Sequence, residues 1–87
     1  MDYCYVAVPV RSQAFLVERR LKIDGVYCEI TYMPREIMTD LCNMGVRFEL
    51  ALLDSALEVL RRSGIPSIRV FKEEKFPTHS EYIPVEL

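Results

Sequence analysis

Apolar positions recur along this chain with two periods, and the period changes wherever glycine or proline intervenes. Tyr3 to Val8 alternates Cys4, Val6 and Val8 against Tyr3, Tyr5 and Ala7, the pattern of a β-strand, and Pro9 ends it. Ala14, Val17 and Leu21 then fall at helical spacing, which predicts a helix from an N-cap at Ser12 to about Asp24, with Gly25 as a left-handed stop. Arg19, Arg20 and Lys22 near its C-terminal end suit the helix dipole. Val26 to Met33 returns to alternation and predicts a second strand that buries Val26, Cys28, Ile30 and Tyr32. Pro34 closes it.

A loop from Pro34 to Met44 leads into a short strand at Gly45-Val46-Arg47-Phe48. Leu50, Leu53, Leu57 and Leu60, with Ala56 beside them, form a helical stripe that stops at Ser63-Gly64. Such a stripe is that of a helix buried in its own core. Ser67 to Lys72 is a last strand with Ile68 and Val70 facing inward. The two halves share one plan of strand, amphipathic helix, glycine and strand. With short loops and right-handed crossovers this predicts an α+β, ferredoxin-like βαββαβ domain over residues 1–72, a four-stranded antiparallel sheet with two helices on one face. Residues 73–87 are expected as an extended tail, with Glu73, Glu74 and Lys75 as solvated charge and Tyr82-Ile83-Pro84-Val85 as an arm lying on the surface or on a second copy.

Eighty-seven residues suffice for one hydrophobic core and not for two. Eleven basic against thirteen acidic side chains give a net charge of -2, so nothing attracts nucleic acid or an anionic membrane surface. No apolar run approaches the roughly 20 residues that span a bilayer, and Met1 to Val10 carries an acid rather than a basic leader region. The expected location is the cytoplasm. Three widely spaced cysteines fit reduced thiols better than the paired framework of a small secreted domain.

Catalytic templates are few: the chain has no glycine-rich phosphate loop, no Cys-x-x-Cys and a single histidine. Cys4 and Cys28 fall on inward strand faces, where free cysteine acts as a small hydrophobe. Cys42 stands apart, in a polar stretch between Arg35 and Arg47. Guanidinium groups near a reachable thiol favour the thiolate, while Glu36 and Asp40 oppose this unless they pair with those same arginines. The plainer alternative is a half-buried loop cysteine within an ordinary surface charge network. His79 with the three cysteines fits no zinc spacing, so neither a metal nor a cofactor is expected.

Pro34-Arg35-Glu36-Ile37, then Cys42, then Arg47-Phe48 and a leucine-rich helix ending in glycine form a pattern. From Val6 to Val70 the chain resembles the selenium/sulfur carrier-like family of small bacterial and archaeal proteins. Asn43 stands where that family has glycine after the cysteine, and the linker before Cys42 is one residue longer. Gly45, two positions beyond Asn43, offers backbone freedom of its own. The resemblance implies that Cys42 carries sulfur or selenium as a persulfide or selenosulfide, with Arg35 and Arg47 stabilising the thiolate or docking a partner. The implied partners are donor and acceptor proteins.

A second reading is a non-catalytic module that binds a small ligand, or a second copy of the chain, through the sheet face or the C-terminal tail. Its basis is an uncovered sheet face bearing Tyr3, Tyr5, Tyr27 and Phe71. A hydrolase or transferase with Cys42 as nucleophile would lack a base, His79 lying far downstream.

Overall fold

The structure is a computed structural model in which residues 2–38 and 42–87 are described. Its elements run β1 (Tyr3–Ala7), α1 (Arg11–Ile23), β2 (Glu29–Tyr32), a 3-10 turn at Arg35–Ile37, β3 (Met44–Glu49), a second 3-10 turn at Leu50–Leu52, α2 (Leu53–Ser63), β4 (Arg69–Lys75) and β5 (Ser80–Val85). The strands form one antiparallel sheet in the order β2-β3-β1-β4-β5.

The sheet therefore has five strands, not four. Residues expected to trail away as an arm instead turn at Phe76, whose N–H donates to the His79 carbonyl, and return along β4 as β5. Pro84 is tolerated there because β5 is an edge strand, where a missing donor faces no neighbour.

The strand register explains the core. Ile30, Val46, Val6, Val70 and Val85 lie in one row across all five strands. Both helices cover this face: Ala14, Val17 and Leu21 of α1, and Ala56, Leu57, Val59 and Leu60 of α2, pack with Cys4, Val6, Val8, Val46, Phe48 and Val70. Burying each large side chain in that core contributes about 1.5–3 kcal/mol.

Helix boundaries follow backbone chemistry more than side-chain caps. Ser12 does not cap α1; the helix starts at Arg11 with Val10 in the cap position and no side-chain cap bond. Its end is as expected, with Gly25 at φ +84, and α2 likewise stops on Gly64 at φ +72. The Leu50 end of the second stripe forms the 3-10 turn ahead of α2 rather than part of it. Tyr32, expected inward, is exposed, because β2 is the short outer strand at the other edge.

The opposite face is not bare. Tyr5, Ala7 and Phe71 are buried there under Met33 and Ile37, with Tyr3 and Tyr82 packed alongside. Met33 and Ile37, from the start of the linker after β2, lie over this face, and the β5 side chain Tyr82 closes the flank. Of the four aromatics expected on an open face, Tyr5 and Phe71 are covered by the chain itself, while Tyr27 is exposed.

Candidate functional site

Cys42 lies just ahead of β3 and only 7 % of it is exposed. It belongs to the helix-side core with Val46 and Phe48, and its Sγ donates to the Met44 carbonyl at 3.2 Å. The local backbone fixes this position, since the Met33 N–H donates to the Asn43 carbonyl at 2.8 Å and ties the residue after Cys42 to the end of β2. Gly45 sits within β3 and is required by close approach rather than by backbone freedom. A Cβ there would collide with the Val6 carbonyl oxygen and come within 2.6 Å of the Met33 sulfur.

The two arginines stand on different elements, Arg47 on β3 and Arg35 in the first 3-10 turn. Arg47 opposes Tyr5 in the register and so lies on the face opposite the helices. Its Nε donates to Glu29 Oε1 at 2.8 Å, a second guanidinium nitrogen joins the same carboxylate, and the guanidinium stacks 4.2 Å over the Tyr3 ring. The Glu29 carboxylate strengthens its hold on the proton. Arg35 is exposed in the first 3-10 turn, and among the described residues it forms no ion pair. Glu36 is exposed beside it, and Asp40 lies outside the described residues.

The other two thiols are shut in. Cys4 and Cys28 are 0 % and 1 % exposed. Burial pushes each thiol up to about 11, against nearby lysines, Lys72 and Lys22 respectively, that pull down. His79 is on the β4–β5 turn, stacked on Phe76 with ring centroids 5.0 Å apart and its Nε2 3.1 Å from Glu81. Among the described residues no group of three His, Cys, Asp or Glu side chains could hold a metal ion.

A comparison with known families matches residues 3–72 to the family described as "Putative Se/S carrier protein-like". The chain belongs to this family. The match takes in the Pro34-Arg35-Glu36-Ile37 segment, Cys42, Asn43 and Arg47-Phe48 together. No curated protein and no solved structure matches the chain. In this member of the Se/S carrier-like family the fifth strand lies beyond the matched residues. Among the described residues no helix is long and apolar enough to cross a membrane.

Two polar residues in this region escape a reading by sequence. Glu73, expected in solvent, is buried, and the Tyr82 hydroxyl donates to its Oε2 at 3.1 Å. Burial and that carboxylate push the Tyr82 hydroxyl up to about 12. The signal was the alternation of Tyr82 and Pro84 against Ile83 and Val85, which marks a strand and aligns Tyr82 with Glu73.

Proposed function

We propose that the protein is a sulfur or selenium carrier in which Cys42 holds the cargo as a persulfide or selenosulfide. The observation that supports this most strongly is the family match across Cys42, taken with the contrast among the thiols: Cys4 and Cys28 are sealed and held protonated by burial, whereas Cys42 sits on a loop and is latched to a carbonyl two residues away. That S–H···O contact lies within the loop segment itself, so turning the Cys42 side chain outward does not require a helix to unfold.

Loading is a thiol–disulfide type exchange. The Cys42 thiolate attacks the outer sulfur of a persulfide on a donor protein, a new S–S bond forms, the donor's S–S bond breaks, and the donor leaves as a thiolate. Unloading is the same step in reverse onto an acceptor's thiolate. The protein is thus reloaded at each cycle and is a carrier more than an enzyme. Arg35, exposed and without an ion pair among the described residues, docks the acids of the partner; Arg47, already held by Glu29 on the far face, has a supporting share in docking. The strand order β2-β3-β1-β4 with both helices on one face supports the ferredoxin-like plan, to which β5 is an addition. The reading carries with it a cytoplasmic location, where reduced thiols persist.

Binding of a second copy through the sheet face loses its basis, because Tyr5 and Phe71 are covered within the chain. The test is intact mass after incubation with a persulfide-forming cysteine desulfurase and cysteine. Wild type gains the mass of one sulfur atom, which a reducing agent removes, and Cys42→Ser gains none. Equal gain by both, or by neither, would overturn the proposal.

A further inference from the structure

On the face opposite the helices, residues 36–38 and strand β5 border an open cleft of about 740 Å³. That volume lies within the roughly 300–1,000 Å³ usual for small-molecule sites. Phe71 and Tyr82 line it from β4 and β5, Ile37 and Glu36 from the linker, and Arg69 from the first position of β4.

Two opposite charges border this space and are uncommitted. Arg69 is held with its guanidinium carbon 5.0 Å over the Phe71 ring, and Glu36 lies close enough to Tyr82 to help push its hydroxyl up. Among the described residues neither Arg69 nor Glu36 forms an ion pair. The other carboxylate on the cleft, Glu81, is taken by His79 at 3.1 Å. Among the described residues, one cation and one anion without ion pairs therefore face one space, whose lining is mixed polar and apolar and includes Phe71, Tyr82 and Ile37. Ser67 borders the same cleft at φ +62, the one non-glycine residue with positive φ among those described, a conformation that is sparsely populated and clusters at binding sites.

We propose that this cleft binds a zwitterionic ligand with an apolar side chain, a free amino acid or a short peptide, its carboxylate on Arg69 and its ammonium group on Glu36. A guanidinium takes a carboxylate through two parallel bonds, and stacking on Phe71 holds the fork in place for it. Ile37, Phe71 and Tyr82 receive the apolar side chain. The assignment is independent of the carrier chemistry at Cys42, which belongs to the helix-side core.

The test is an amide chemical-shift titration of the whole protein with L-methionine and, separately, with the tripeptide Met-Ala-Met. N-acetyl-methionine, lacking the ammonium group, and methioninamide, lacking the carboxylate, serve as controls. The cleft predicts saturable shifts at residues 36–38, 69–71 and 80–82, with α1 unmoved, and the tighter of the two probes tells whether the ligand is a free amino acid or a peptide. Each control binds about tenfold or more weakly, as expected for loss of one charge-assisted hydrogen bond. Arg69→Gln removes the discrimination against methioninamide, and Glu36→Gln removes that against N-acetyl-methionine. Absence of saturable shifts with both zwitterions, or equal binding of zwitterions and blocked controls, would overturn the assignment. Either result leaves sulfur loading at Cys42 unaffected, so the two readings fail separately.

Discussion

Cys28 and Cys42 occupy nearly matching places: each lies just ahead of a strand, each is almost covered, and each thiol donates to a backbone carbonyl. They differ in what holds the lid. Cys28 reaches the Glu18 carbonyl at 3.6 Å, so its thiol is trapped beneath α1 and opens only if that helix lifts. Cys42 reaches a carbonyl two residues along its own segment, so this contact spans no helix. Equal burial can therefore conceal unequal access, because exposure depends on the free energy of the smallest motion that uncovers the group.

The sharpest way to break this comparison is native-state alkylation followed residue by residue. Cys42 is expected to react at least about a hundredfold faster than Cys28 and Cys4, whose exposure demands an opening near the global unfolding free energy. Comparable rates at Cys28 and Cys42 would mean that α1 is no lid.

A second prediction concerns pH. Burial raises Cys4 and Cys28 from 9.0 to about 11, so the folded state keeps protons that the unfolded chain releases. The stability linked to these thiols is fully present below pH 9 and is lost as pH rises through about 11, with about 2–3 kcal/mol at stake for each. Tyr82, pushed up to about 12, extends the loss to higher pH. Urea unfolding at several pH values should show this slope, and Cys4→Ala with Cys28→Ala should flatten its lower part.

Next in size is Gly45→Ala. The added methyl meets the Val6 carbonyl and the Met33 sulfur, which costs about 1–3 kcal/mol and displaces the strand that follows Cys42. The comparison then predicts faster alkylation of Cys42 with little change at Cys28. The smallest effect is that of Tyr82→Phe, which leaves the buried Glu73 without its donor and costs about 1–3 kcal/mol, towards the lower end because the site is at the sheet's flank. Its midpoint in urea should fall with the slope unchanged.

Much of this architecture is legible in the residue pattern. The alternation of Cys4, Val6 and Val8, the stripes Ala14-Val17-Leu21 and Ala56-Leu57-Leu60, and the stops at Gly25 and Gly64 all follow local periodicity and backbone freedom. What escapes is what depends on distant partners. β5 begins beyond a cluster of charged residues and contains a proline, which mask the alternation of Tyr82 and Pro84 against Ile83 and Val85, and pairing with β4 and burial against Tyr5 complete the strand. Arg47 flanks Cys42 in sequence, yet the alternation of β3 turns it to the far face and Glu29 claims it. Proximity along a strand therefore does not assemble a site, since each odd step in number crosses the sheet.

The most direct test is to locate the added sulfur within wild-type protein loaded by a persulfide donor, alkylated and cleaved into peptides that separate Cys4, Cys28 and Cys42. The account predicts the extra sulfur on the Cys42 peptide, with Cys4 and Cys28 unmodified. Sulfur on Cys28 or Cys4, or spread evenly over all three, would contradict it.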